Sequence, residues 1–284
     1  ITDLQNVTAG TLITIRCVLW GATGVGGTWY LNDPADTTVN DFIIDGTVSA
    51  ISTNDTTSDV DGPVLALQPD PIISSLADTD AEAVKVFDFD IYDYGTADGL
   101  PTHVTQVTIK PGANNTANWA NSIQNAKLSL NGGATFVTTG TPVITAGSIV
   151  FPITSGNLDI ADSDGETASL YVYLKNTGLV DNSVLEFNIP ATAHGFTANS
   201  TGSTFATSFA NATVSNEMLI DVVASKLIIG TQPSATACPN TNLTTAPVFR
   251  ATDANNNIDT DFTNQVTLSN SGSLGMANAS LNAI

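Results

Sequence analysis

The residues of this chain best suited to chemistry are aspartates at close spacing. Three groups stand out: Asp88, Asp90, Asp93 and Asp98; Asp159, Asp162, Asp164 and Glu166; and Asp253, Asn255, Asn257 and Asp259. Hard cations such as calcium take roughly six to eight oxygen ligands from carboxylates, amides and carbonyls. The first two groups are therefore expected to hold structural calcium, with a solvated acidic face as the plainer reading. In the second, Asp164-Gly165 also supplies a tight turn. The third has the two-residue spacing of a calcium loop. It lacks that loop's glycine at the sixth position and its glutamate at the twelfth, where Asn264 stands. A hairpin turn is the competing reading there. Bound ions would lower self-repulsion and stiffen the joints between modules.

Other chemistries find less support. A serine or cysteine nucleophile needs a base. The chain has two histidines, His103 at the start of a strand pattern and His194 in the turn Thr192-Ala193-His194-Gly195. Neither has a nucleophile elbow or a cysteine partner beside it. No catalytic residue is expected, and the chain is read as not an enzyme. The run Gly21-Ala22-Thr23-Gly24-Val25-Gly26-Gly27 has a dinucleotide-like spacing. A phosphate site would need a helix N-terminus next. Thr28-Trp29-Tyr30-Leu31 reads as strand instead, so a surface loop is expected. Trp20 and Trp29 flank that run, as a carbohydrate-stacking face or as core. Cys17 and Cys238 fall in different expected modules and read as a buried small hydrophobe and a loop thiol.

The elements that must position these residues follow from composition and period. Twenty-seven acids against seven bases give a net charge of -20 on only 12% charged residues. Glutamate occurs four times, at 82, 166, 186 and 217, so 27 − 4 = 23 of the acids are aspartate. There is no basic stripe to neutralise phosphates, which excludes nucleic acid as a partner. Anionic membrane surfaces would repel the chain. No apolar run approaches the roughly 18 residues of a membrane span, so no direct membrane insertion is expected. Scarce Lys, Glu and Arg argue against helices. Alternating runs predict strands over 84–92, 103–109, 170–174, 184–189 and 266–268. Asn118–Asn125 alone reads as a short helix. The expected class is all-β, built of tandem β-sandwich modules of immunoglobulin-like type. Three modules are expected: 1–62, an unplaced N-terminal β module closed by the polar stretch 54–62; 63–223, a large sandwich; and 224–284, a repeat cut short at its C-terminus. The chain starts at Ile1 and stops within a strand pattern, and is read as a mature or internal piece of a longer protein.

A resemblance sharpens this. Lys226-Leu227-Ile228-Ile229-Gly230-Thr231-Gln232-Pro233, then Ala246–Asn257 with its Asp253-Ala254-Asn255-Asn256-Asn257 turn, then Val266-Thr267-Leu268, resemble bacterial immunoglobulin-like repeats. Residues 81–100, 107–112 and 160–165 resemble the β-rich module that precedes such repeats in Bacteroidetes surface proteins. The likeness covers roughly residues 64–284. It implies a large, multi-domain, secreted or surface-anchored protein, carried out by the type 9 secretion machinery and similar to gliding-motility adhesins. It also implies O-glycosylation at Asp-Thr-Thr, which makes Thr37 and Thr56 candidate glycan sites.

The expected function is non-catalytic: an extracellular adhesive stalk or filament at the cell surface, with an unknown surface ligand or glycan. The alternative is a carbohydrate-binding accessory region of a secreted multidomain enzyme.

Overall fold

A computed structural model describes residues 57–94, 99–130, 135–236, 241, 243–267 and the strand 280–282. The chain divides between Ser52 and Thr53 into two units, and every described residue belongs to the second. Asp98, Thr37, Thr56, Trp20, Trp29, the glycine run and both cysteines lie outside the described residues.

The fold is all-β and of sandwich type, 44% strand and 5% helix. In chain order the strands begin with β1 (Ser58–Asp61), β2 (Ile73–Ser74), β3 (Val84–Asp93) and β4 (Thr102–Pro111). A single helical turn, α1 (Trp119–Ser122), follows. Next come β5 (Ile123–Leu130), β6 (Thr135–Phe136), β7 (Val143–Ile144), β8 (Ile149–Pro152), β9 (Asp159–Ile160) and β10 (Gly165–Leu174). The sandwich is completed by β11 (Val184–Leu185), β12 (Phe187–Ile189), β13 (Thr197–Ala198), β14 (Thr213–Val214) and β15 (Met218–Asp221). The tail carries β16 (Lys226–Thr231), β17 (Val248–Thr252), β18 (Gln265–Thr267) and β19 (Ser280–Asn282).

One sheet has the order β1-β3-β10-β5-β6, antiparallel throughout. A second runs β14-β12-β4-β8-β7, with β9 and β13 also on β4. Ten residues long, β4 thus serves four partners in succession: β9 at Thr102, β13 at Val104, β8 from Gln106 to Ile109 and β12 at Lys110. A third sheet, β11-β15-β2, contains the parallel pair β15·β2.

The strand period decides what is buried. Phe89 and Ile91 of β3, Leu128 of β5 and Leu170 of β10 meet Val107, Ile109 and Phe151 of the second sheet in one cluster reaching from Val60 to Val222. Each of these large side chains contributes about 1.5–3 kcal/mol on burial.

Two expectations change. The polar stretch 54–62, expected to close the first module as a linker or long loop, instead carries β1, which pairs with β3 from Ser58↔Asp93 to Asp61↔Asp90. Its polar composition hides a two-residue alternation: Ser58 and Val60 point inward and Asp59 and Asp61 outward. The helix expected over 118–125 stops after one turn, capped by the Asn118 side chain on the Asn121 N–H. From Ile123 the chain is β5, because Ile123, Ala126 and Leu128 have a core to enter.

The tail differs from the sandwich. β16 pairs with β17, yet β16 has no buried residue, and Ala251 is the tail's buried hydrophobic among the described residues. What fixes the tail is therefore polar.

Candidate functional site

The described members of the first expected aspartate group, Asp88, Asp90 and Asp93, do not converge. Period two sends Asp88 and Asp90 to the outer face of β3 and Asp93 to the inner one. Asp88 pairs with Lys85 at 2.7 Å and accepts from Ser169 Oγ at 2.6 Å. Asp90 accepts from Thr167 Oγ1 at 2.5 Å. Asp93, 1% exposed, accepts from Thr102 Oγ1 at 2.9 Å, and that hydroxyl lies 2.6 Å from Ser58 Oγ. In the second group, Asp159 Oδ1 lies 2.9 Å from His103 Nδ1, though not aligned as a hydrogen bond. Asp162 accepts from the Gly99 N–H at 3.0 Å, and Asp164 from the Gly165 N–H at 2.8 Å. Glu166 stands opposite Ile91 in the β10·β3 register. These acids serve strands and turns, as short acceptors do beside free backbone N–H groups.

The third group is a closed turn. Asp253 Oδ1 accepts from the Asn255 and Asn257 N–H groups, both at 2.9 Å, and Oδ2 from Asn257 Nδ2 at 2.6 Å. Asn256 takes the left-handed conformation at φ 70°, which asparagine tolerates. The turn then reaches outward. Asn257 Nδ2 donates to the Asn176 carbonyl at 2.9 Å, and its Oδ1 accepts from the Leu179 N–H at 3.1 Å. The tail's turn is thereby fastened to the sandwich loop that follows β10.

Beside this contact, the acids that do converge among the described residues are Asp181, Asp221 and Asp261, with carboxylate oxygens within 4.8 Å of one another. The sequence reading singled out none of them. Asp181 lies in the loop after β10, Asp221 ends β15, and Asp261 follows the tail's turn. Asp181 is the centre. Its Oδ1 accepts from the Val222 N–H at 2.8 Å. Its Oδ2 accepts from Thr260 N at 2.8 Å, Thr260 Oγ1 at 2.6 Å and Asn182 Nδ2 at 3.1 Å. Asp259 adds an acceptor to the Ala224 N–H at 3.1 Å, at the point where the chain passes from sandwich to tail.

These acids pull in opposite directions. Burial would raise the pKa of Asp181, but the donors from Thr260, Val222 and Asn182 outweigh it and hold the carboxyl below its ordinary value. Asp221 is pushed up by burial and by the charges of Asp181 and Asp261. Asp259 is pushed up by burial and by Asp261 and Asp181, against the Ala224 N–H. The described ion pairs, Lys85–Asp88, His103–Asp159 and Lys127–Asp80, supply this group with no cation. Three carboxylates from different parts of the chain can hold a hard cation. At Asp181 the less committed atom is Oδ1, which takes one donor, from Val222, against three on Oδ2.

Neither histidine faces a nucleophile among the described residues. His194 is 7% exposed, with Nε2 2.9 Å from the Ala206 carbonyl and Nδ1 accepting from the Phe196 N–H at 3.1 Å. Clefts of 410 Å3 at Tyr92, Tyr94 and Asp164, and of 350 Å3 at Leu65, Glu186 and Glu217, are lined by neither histidine. At the first, the Tyr92 and Tyr94 rings stack 4.9 Å apart, and Tyr94 is 55% exposed.

No protein-family model and no curated protein matches the chain. Among solved structures it is similar to one described as "AvmM Catalyzes Macrocyclization in Alchivemycin A Biosynthesis". The identity is 11% and the TM-score 0.29, over 61% of this chain and 93% of the other. No helix among the described residues is long and apolar enough to cross a membrane.

Proposed function

We propose that this chain is a non-catalytic structural element of an extracellular protein, a β-sandwich carrying an immunoglobulin-like tail repeat in an adhesive stalk or filament. Export by a type 9 secretion machinery in a Bacteroidetes cell and glycans on Thr37 and Thr56 belong to the same proposal. One observation carries it: the tail, which buries almost no apolar surface of its own, is held to the sandwich by hydrogen bonds centred on Asp181. A stalk needs its modules held at a fixed joint more than it needs a pocket.

Structural calcium is part of the proposal, at Asp181, Asp221 and Asp261. Asp221 and Asp259 keep their protons to higher pH when folded. Their stabilising contribution is complete below the unfolded carboxyl value and is lost as pH rises through the folded one. At neutral pH the group is a net repulsion, which a divalent cation would turn into attraction.

Limited proteolysis at neutral pH, with calcium and with chelator, tests this. The bond after Lys226 should resist cleavage, and calcium should slow it further. Asp221→Asn should abolish the calcium effect and leave calcium-free protection intact or improved. A junction cut as readily as an unstructured peptide would sink the stalk reading. Protection indifferent to calcium would sink the ion alone.

One observation favours a second reading, the carbohydrate-binding region of a secreted enzyme. The exposed, stacked Tyr94 beside Ser163 and Asp164 offers an aromatic face with hydrogen-bonding groups at its rim. On that reading a glycan array gives a signal that Tyr94→Ala removes. An array blank for the unaltered chain rejects it.

A further inference from the structure

We infer that copies of this chain join head to tail: Arg250 on the tail of one copy docks on the stacked Tyr92 and Tyr94, and on the carboxylates beside them, at the far end of the next copy's sandwich. The inference rests on the filament reading above and names its contact.

The guanidinium is unspent. The five described lysines are all taken, by Asp88 and Asp80 or by the carbonyls of Ala193, Ala120 and Ala254. Arg250 is exposed, and no described residue pairs or hydrogen-bonds with it. It stands opposite Ile228 in the β16·β17 register. Its side chain lies across Gly230, where a Cβ would stand 2.9 Å from Nε. Gly230 is two residues further from the junction than Ile228, so the head group leans toward the tail's outer end.

The receiving face is aromatic and acidic together. Period two puts Asp59, Asp61, Asp90 and Tyr92 on the outer face of one sheet, with Asp59 beside Tyr92 and Asp61 beside Asp90. The Tyr92 ring lies over Gly165 of β10, in space that a Cβ there would fill. Tyr94 stacks on that ring and stays exposed at the cleft. Asp61 and Asp90 are like charges set directly opposite, which destabilises a strand pair. None of the described ion pairs includes Asp59, Asp61 or Asp90. Among the described residues, Asp61 spends only Oδ1, on the Gly62 N–H at 2.8 Å. Both phenols are held above their ordinary value, by burial first and then by Asp90 and Asp61, with Asp59 added at Tyr94. The acids therefore act at the rings themselves. A guanidinium fits such a face, because it lies flat on an aromatic ring and turns its N–H fork to a carboxylate. A sugar also stacks on tyrosine, but it carries no charge to offset Asp61 against Asp90.

Placement favours a series over a contact within one copy. β10 begins at Gly165, under Tyr92, and ends at Leu174, two residues before Asn176, where the tail is fastened. Its ten residues separate the two ends by about 30 Å. The six residues of β16 span about 20 Å, so a copy's own tail falls short of its own tyrosines. A contact between unlike surfaces at opposite ends repeats from copy to copy into an open filament. The net charge of -20 opposes association at long range. At about 0.15 M salt the screening length is about 8 Å, which leaves the touching groups their attraction and mutes the rest.

Sedimentation of the full chain at about 0.15 M salt tests this, with chelator present so that calcium cannot bridge two acidic faces. The mean mass should keep rising with concentration. Arg250→Gln and Tyr94→Ala, both at exposed positions, should each weaken association about tenfold or more. Arg250→Lys should lose nearly as much, since an ammonium has no planar fork. The mixture decides. Arg250→Gln keeps the tyrosine face and Tyr94→Ala keeps the guanidinium, so together they should form a pair, one of each, that grows no further. An unaltered chain that stays monomeric overturns the inference, as does association that neither variant weakens, or a mixture that does not pair. Growth that stops at a dimer in the unaltered chain means a closed contact and overturns the series. A monomeric chain whose junction still resists proteolysis loses this contact and keeps the stalk reading.

Discussion

Asp181→Ala should loosen the tail from the sandwich while the sandwich itself stays folded. The carboxylate is 8% exposed and takes four hydrogen bonds, from Val222, Asn182 and twice from Thr260. Removing it strands the Val222 N–H in a buried position, where an unsatisfied donor costs about 1–3 kcal/mol. The Thr260 donors are nearer to water and recover part of theirs. Relief of repulsion with Asp221 and Asp261 offsets some of the loss. The net expectation is about 2–3 kcal/mol, concentrated at the junction. Asp181→Asn should lose nearly as much, because its amide turns a donor toward donors. Amide exchange at Val222 and Thr260 checks this, with the core amides of β3 and β10 as the internal reference. Unchanged protection at Thr260 would show that the latch does not hold the tail. The folded carboxyl sits below its ordinary value, so the latch should be at full strength above about pH 4 and weaken as pH falls through the folded pKa.

Trp119→Ala should cost the sandwich about 3–5 kcal/mol. The indole is wholly buried and tilted against Phe187 at 4.8 Å, and its Nε1–H donates to Asn115 Oδ1 at 2.8 Å. Alanine leaves a cavity under α1, where the chain turns into β5 and has little freedom to collapse. Trp119→Phe fills most of that space. It gives up the indole hydrogen bond, but Asn115 Oδ1 still accepts from the Glu186 N–H at 3.3 Å. Its cost should be about 1–2 kcal/mol. Denaturant unfolding separates the two variants. An alanine variant within about 1 kcal/mol of the unaltered chain would mean that Trp119 does not anchor this corner.

The fold class was legible because burial follows a short period. Phe87, Phe89 and Ile91 alternate with Asp88 and Asp90, and that alternation is itself the strand. The same rule, applied one step further, separates Asp93 from the acids with which spacing had grouped it. The strand expected over 184–189 was harder, since it is two. At Glu186 the chain leaves one pairing for another, and that side chain turns to accept from the Asn114 N–H at 2.6 Å. A run of alternating residues does not say which neighbour each half will meet.

The junction was not legible, for a related reason. Asp181, Asp221 and Asp261 are each 40 residues apart along the chain, and each is unremarkable where it stands. The nearest thing to a signal was Asp259-Thr260-Asp261, two acids flanking a hydroxyl just past a recognisable turn. That the turn would be closed by Asp253 followed from its composition. That Asn257 would then reach the loop at 176–179 depends on tertiary placement alone.

The polar fastening of the tail has a mechanical consequence. A pull on the tail reaches the sandwich through several bonds gathered around one short stretch: Asn257 to Asn176 and Leu179, Thr260 to Asp181, and Ala224 to Asp259. Bonds set side by side share a load, whereas bonds in a row fail one after another. Behind them β15 lies parallel to β2, with Ile220 beside Ile73 and Asp221 beside Ser74. Drawing β15 out along its own axis would shear both pairings at once. Once those polar bonds part, the load passes along the four residues that join the tail to β15, and the pairings of that strand with β2 and β11 meet it in shear.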